Sequence, residues 1–503
     1  MMKNKKYTSM VLAVTVTFLF AFLGCSSEEV EETPDTAVTL NSDTDDIAIS
    51  LEGDLQISDF VWQGLNQYYY WQAEVEALSD TKFNDQKAYA QYISENPDPD
   101  EFFETLKHPN DRFSWIQNDY VELENILQGI YATNGVEFGL MYACQNCNDL
   151  LGFVKYILEG SDADGKTIKR GDLFTGVNGT KLTINNYRSL LFSDALTYSL
   201  NLASVENGEL VENGVVVELT KEENFVTNPI QMSSILALAE GEKVGYLMYN
   251  QFVADKSSDL NLVFADFKSE GITDLVIDLR YNGGGSVRNC VELASMITGQ
   301  FSDEIFAQEQ WNSKLLTYIT DRFGEESLFN RFVGELSDGE PINSLNLNRV
   351  YVITTSESAS ASELLINGLA SYIEVIQVGE PTVGKNVGSI TLYDYIDNEG
   401  TKNPDHTYAM QPIVLKIANS EGYADFADGL PPNTNVSEDV ENLGALGDAK
   451  ETLLATVLNL ISGTAKYSIP EATRSRALLI QDPLMLKRQQ MVVDKKLGYQ
   501  GKR

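Results

Sequence analysis

Between residues 240 and 462 the chain alternates short apolar runs with amphipathic stretches. KVGYLMYNQF, DLVIDLR (274–280), RVYVITT (349–355) and IEVIQVG (373–379) read as strands. SSDLNLVFADFKSEG, SVRNCVELASMITG and SASELLINGLASY between them read as helices. Such alternation predicts an α/β domain, because parallel strands need a crossover that is usually a right-handed helix. In an open sheet of this kind the loops after the strands' carboxyl ends share one edge, and ligands bind there. Here that edge collects the loop Tyr281-Asn282-Gly283-Gly284-Gly285, then Ser360, then Lys385.

Lys385 lies in GEPTVGKNVGS (379–389), which follows a phosphate-binding P-loop through Gly379, Gly384 and Lys385. The match ends at Asn386, which lacks the hydroxyl that holds magnesium, and NVGSITLYDYI is no helix to present N–H groups to phosphate. Acyl transfer fits the same residues better. A serine hydroxyl needs a base. A buried lysine can be that base, since low dielectric disfavours its charged form. Glycine-rich backbone can bring N–H groups close to a developing oxyanion. The chain has two histidines, His108 in the helical N-terminal region and His406 in NPDHTY, so a Ser-His pair would have to use one of them. Each piece also has a plain structural reading. Ser360-Ala361-Ser362-Glu363 is a capping box, a lone lysine is usually solvated, and NGGG is usually a turn. Their convergence on one edge favours chemistry.

The strings Ser358–Glu363 (SASASE), GEPTVGK and DLRYNGGG, with 25 positions from Ser360 to Lys385, resemble the carboxyl-terminal processing (tail-specific) serine peptidases over roughly residues 55–460. The resemblance implies that Ser360 is the nucleophile and Lys385 the general base. It implies that Ala361 and either Gly284 or Gly285 supply oxyanion N–H groups. It also implies no metal or organic cofactor. Many members carry a glutamine four residues after the lysine to orient it. Here that position is Ser389, whose hydroxyl has a shorter reach.

Residues 56–128 read as a helical N-terminal domain, with aromatic residues at helical spacing in DFVWQGLNQYYYWQAEVEAL. Residues 130–222 turn to strands (GVEFGLMY, LLGFVKYIL, YSLNLA, GVVVELT) around the turn-rich KRGDLFTGVNG. This stretch resembles a PDZ domain, with a generic small β-domain as the plain alternative. In that family a glycine-containing loop before a strand takes a peptide carboxylate, and Phe138, Gly139 and Leu140 match it in position. PDZ domains bind chain ends by adding a strand to a sheet edge. The SDADG turn fails a calcium-loop register, since Gly160 and Gly171 stand where acidic ligands belong.

At the N-terminus, Lys3, Lys5 and Lys6 precede an apolar run too short for a comfortable membrane span. Leu23-Gly24-Cys25-Ser26 resembles a bacterial lipobox, which implies a signal peptide over 1–25, acylation of Cys25 and a lipid anchor. Residues 26–55 are acidic and without aromatic residues, a disordered tether. Acidic residues directly after such a cysteine resemble surface-export signals of Bacteroidetes-type lipoproteins. The chain carries 36 basic and 74 acidic side chains, a formal net charge of −38, which argues against nucleic-acid partners. Cys144 and Cys147 form one C-x-x-C, too few ligands for a zinc site. A local disulfide or two free thiols fit better than redox catalysis. The end, 463–503, has nine basic and three acidic residues and reads as a peripheral basic extension.

The fold expected is therefore multidomain α+β: a helical N-terminal domain, a PDZ-like β-domain, and a ClpP/crotonase-like α/β serine peptidase core over 223–462. The expected activity is endopeptidase action on unfolded or C-terminally recognised polypeptides. The setting is the bacterial cell envelope, on the periplasmic side or the outer-membrane surface. The alternative is a non-catalytic envelope protein that binds peptide C-termini.

Overall fold

The computed structural model describes residues 38–40, 49–238, 241–463, 479–480, 485–493, 495 and 497. The expected signal peptide, Cys25 and most of the acidic tether lie outside these residues.

The α/β region forms as its pattern requires. Strands Lys243–Tyr249, Asp274–Asp278, Arg349–Thr354 and Glu374–Gly379 lie side by side and parallel. Ile230–Ala237 closes one edge antiparallel and Thr434–Asn435 extends the other. Helices Ser257–Glu270, Val287–Thr298 and Ala361–Ala370 make the crossovers. The strands are buried on both faces, which is why they read as nearly unbroken apolar runs.

A second sheet stands beside the first. Its order is Gly285–Ser286, Met491–Val492, Val387–Ser389, Ile413–Asn419, Ile305–Trp311 and Phe329–Arg331. The two-residue strand Met491–Val492 comes from the C-terminal end, where the sequence reads as peripheral. Met491 and Val493 are buried and pack with the main core. The extension is thus partly internal. The reason is backbone pairing with strands about a hundred or more residues away, which no local pattern announces.

The N-terminal region is helical, with helices Asp54–Tyr68, Gln86–Ser94, Pro99–Thr105 and Tyr120–Leu127. Asp85, Asp98 and Asp119 cap the last three by accepting from first-turn N–H groups. It has no core of its own. Phe60, Val61, Trp62 and Leu65 share one continuous cluster with the α/β region, and Trp115–Gln117 pairs with Ala409–Gln411 of that region.

Residues 136–220 do form a separate core. Their sheet runs Glu209–Thr220, Thr197–Glu206, Leu173–Val177, Leu150–Ile157, Val136–Tyr142, with helix Tyr187–Leu191 packed on it. Cys144 and Cys147 are joined by a disulfide. Polar contacts and an apolar cluster shared with Val440 and Leu443 fasten this domain to the α/β region. Lys155 Nζ meets Glu357 Oε2 at 2.6 Å, and Arg170 reaches Glu438 Oε1 at 2.6 Å and the Tyr281 hydroxyl at 2.8 Å.

Candidate active site

Ser358, Ser360 and Ser362 lie in the loop after strand Arg349–Thr354 and the first turn of helix Ala361–Ala370. The outer two spend their hydroxyls on the neighbouring strand end. Ser358 donates to the Leu279 carbonyl at 2.7 Å and Ser362 to the Asn282 carbonyl at 3.0 Å. Ser360 is wholly buried, and its Oγ has no hydrogen-bond partner. Its backbone is left-handed, with φ 63° and ψ −113°, a strained setting for a residue with a Cβ. Buried hydroxyls are nearly always paired, so an unpaired one on strained backbone makes Ser360 a candidate functional group.

Lys385 is also wholly buried. Burial lowers its ammonium pKa to about 7, against the opposing pull of Asp111 and Glu363. The serine and lysine loops are tied by one carboxylate. Glu363 Oε2 accepts from the backbone N–H of Ser360 at 2.7 Å and of Lys385 at 2.8 Å. Its Oε1 accepts from the Thr382 hydroxyl at 2.5 Å and the Gly384 N–H at 2.6 Å. The two backbones therefore lie within a few ångströms of each other. The capping-box glutamate that explains Ser360 as a helix start is thus also the strut between the two loops. Burial pushes the Glu363 carboxyl upward, against these hydrogen bonds.

The glycine run forms the third side. Gly284 (φ 111°) and Gly285 (φ 139°) have backbones that only glycine adopts readily. A Cβ on Gly284 would stand 2.7 Å from the Ser360 Cβ, so the loop and the serine are in close contact. The sequence leaves Gly284 and Gly285 as equal candidates for the oxyanion. In the structure the Gly284 N–H donates to Asn282 Oδ1 at 2.8 Å, whereas the Gly285 N–H donates to the Gln490 carbonyl. Ala361 opens the serine helix directly beside them.

Ser389 sits at the end of strand Val387–Ser389, but it forms no hydrogen bond with Lys385. Its hydroxyl donates to the Met491 carbonyl at 3.3 Å. The lysine amine donates to the Gln489 carbonyl at 2.5 Å. Side-chain reach accounts for this: a serine at 389 ends short of where a glutamine would.

The walls around Lys385 come from the N-terminal region, which sequence reasoning missed. The Phe113 ring lies 5.0 Å from the amine. Asp111 accepts from the Phe113 and Ser114 N–H groups and from the Tyr69 hydroxyl, and Arg112 reaches the Val383 carbonyl at 3.1 Å. The only forewarning is the turn signal PNDRF. Both histidines are elsewhere: His108 stacks on Trp71, and His406 pairs with Asp394.

Phe138, Gly139 and Leu140 lie on strand Val136–Tyr142 at the edge of the β-domain sheet. Leu140 and Met141 there pair antiparallel with Ile480 and Leu479 of this chain. A cavity lined by Phe138, Lys155, Tyr281, Gly283 and Gln489 joins this strand to the glycine loop.

Residues 243–408 match Peptidase family S41, and residues 56–115 match the Peptidase S41 N-terminal domain. The chain carries the domains of peptidase family S41. Within that family it is 27% identical over 244 residues to carboxyl-terminal-processing peptidase 3 of Arabidopsis thaliana, covering 46% of this chain and 43% of that one. It is 28% identical over 160 residues to a carboxyl-terminal-processing protease of Picosynechococcus, covering 32% and 33%. The match thus spans less than half of either relative's length. The fold is that of a crystal structure assigned to the S41 proteases of Bacteroides fragilis, with a TM-score of 0.62 at 24% identity over 80% of this chain and 97% of that one. The mixed α/β architecture with a helical N-terminal region is therefore an S41 fold.

Proposed function

We propose that the protein is a serine endopeptidase in which Ser360 is the nucleophile and Lys385 the general base. One observation carries the reading. A wholly buried lysine with its pKa lowered to about 7 shares a carboxylate strut with a buried serine whose hydroxyl is unspent. A neutral amine at that position takes the Ser360 proton as Oγ attacks a peptide carbonyl carbon. The N–H groups of Gly285 and Ala361 receive the oxyanion. The protonated lysine then gives its proton to the leaving amine, and water hydrolyses the acyl-serine with Lys385 again as base. Serine-type carboxyl-terminal processing homologues support the activity class.

The substrates in this reading are unfolded or tail-exposed polypeptides, and the 136–220 domain is a PDZ module that receives their chain ends along Phe138–Leu140. A Cys25 lipid anchor would hold the enzyme in the cell envelope, periplasmic or surface-facing. The test is casein degradation by the chain lacking residues 1–25, beside Ser360→Ala and Lys385→Ala. Both substitutions are expected to abolish cleavage with the fold retained. Cleavage that survives Ser360→Ala refutes the reading. Absence of cleavage by every form, with peptide binding retained, points instead to a non-catalytic peptide-binding protein.

A further inference from the structure

The cleft between the glycine loop and the Ser389 strand holds residues 488–493 of the chain itself. Met491–Val492 lies between Gly285–Ser286 and Val387–Ser389, parallel to both. Its backbone is bonded from both sides: the Gly285 N–H donates to the Gln490 carbonyl, and the Val493 N–H donates to the Ser389 carbonyl at 3.1 Å. A Cβ on Gly283 would meet the Arg488 carbonyl at 2.8 Å, so the glycine loop is shaped to a backbone lying against it. At the head of the segment Arg488 pairs with Glu137 Oε2 at 2.8 Å and stacks on Tyr131. Shortly before it in the chain, Leu479 and Ile480 add a strand to the β-domain edge at Leu140 and Met141. Two pieces of the C-terminal end, 479–480 and 488–493, thus lie on both surfaces that a substrate would use.

We infer that this cleft is a strand-shaped peptide-binding site and that the chain's own residues 488–493 occupy it as a competitive, uncleaved ligand. The ligand class is an extended peptide that pairs in parallel with Gly285–Ser286 and Val387–Ser389. It carries a basic residue facing Glu137 and, three positions later, a buried apolar one, here Arg488 and Met491. The occupant inhibits by filling the cleft, with the lysine amine bonded to it and not to the serine. The Lys385 amine is bonded to the Gln489 carbonyl, and the Ser360 hydroxyl is left without its base. A ligand on the same chain acts at an effective concentration on the order of millimolar. That is at or above the usual KM range of about 1 μM–1 mM, so it holds back substrates until displaced. The inhibitory consequence rests on the Ser360/Lys385 reading; the occupancy does not.

The experiment therefore has a binding arm and a kinetic arm. Met491→Asp puts a charge where burial forbids it and expels the segment. Arg488→Glu repels it from Glu137 without touching the core, in case the first variant unfolds. In the Ser360→Ala background, anisotropy of a labelled synthetic peptide of residues 485–497 is expected to report binding at least about tenfold tighter when either tail substitution is present. In the Ser360 form, kcat/KM on an extended peptide is expected to rise about tenfold or more with either substitution, and the added peptide to inhibit competitively. Equal peptide binding with and without the native tail, or binding to neither form while both are folded, overturns the inference. So does a tail found cut in the wild type but intact in Ser360→Ala. Tail-dependent binding with no hydrolysis by any form upholds the occupancy and refutes the proteolytic reading instead.

Discussion

Arg280 and Lys385 are both wholly buried in the α/β region, yet their surroundings are opposite. Arg280 lies two residues beyond strand Asp274–Asp278 and spends its guanidinium on three carboxylates. It meets Asp278 at 2.7–2.9 Å, Glu451 at 2.8 and 3.1 Å, and Glu438 at 2.9 Å. Burial alone would weaken its charge, but these neighbours outweigh burial and hold its pKa above the ordinary arginine value. Lys385 has a carbonyl and an aromatic face for company, while Asp111 and Glu363 act on it without a bond to its amine. Its pKa falls to about 7. The same burial thus keeps a permanent cation where carboxylates converge and leaves an easily neutralised amine where they are held back. The geometry of Glu363 is what separates the cases, because its oxygens are consumed by four backbone and hydroxyl donors and none is left for the amine.

The sharpest way to break this comparison is to substitute both cations alike. Lys385→Met is expected to lower turnover by on the order of 10²–10⁴-fold, the usual contribution of a general base. It should leave the fold intact or more stable. Arg280→Met removes the cation shared by three buried carboxylates and is expected to cost about 3–5 kcal/mol of stability, read from denaturant midpoints at unchanged m. If Lys385→Met unfolds the protein and Arg280→Met does not, the assignment of roles is reversed.

The pH dependence is a second test. Lys385 must be neutral to accept a proton, so kcat/KM should rise through pH 7 and fall about tenfold per unit below it. Stability moves in the same direction. The folded-state pKa lies below the free value of 10.5, so between about 7 and 10.5 the unfolded chain binds the extra proton. Unfolding should therefore become easier as pH falls across that window and level off below it. Lys385→Met should flatten that slope, and a wild-type slope unchanged by the substitution would contradict the shift. The smallest effect expected is that of Ser389→Ala. Its hydroxyl touches the tail and not the amine, so turnover should stay within about threefold of wild type, the loss of one weak hydrogen bond. A loss of a hundredfold would instead give Ser389 the orienting role that the family pattern suggests.

The parallel strands, their crossover helices and the three edge loops were legible because each is a local pattern with a period and a boundary. The adjacency of the Ser360 and Lys385 loops follows from topology, since successive parallel crossovers return loops to the same edge. Residues such as Asp111, Phe113 and the 488–493 segment were not legible. Each acts through a partner hundreds of positions away, and nothing in PNDRF or KRQQMVV carries a period that would reveal it. Arg280 was passed over for a related reason: an arginine at a strand end looks like a solvated terminus until Glu438 and Glu451 are brought to it.

The wall that Phe113 and Asp111 build over the lysine has a consequence for what counts as the smallest working unit. The stretch matched as the peptidase domain starts at residue 243, yet part of the low-dielectric surround of Lys385 is contributed from before residue 115. A fragment beginning at 243 would open one side of Lys385 to water, and its amine would climb back toward an ordinary, protonated value at neutral pH. The N-terminal segment is thus part of the solvent that Lys385 experiences, and the two segments have to be inherited, shuffled or engineered as one.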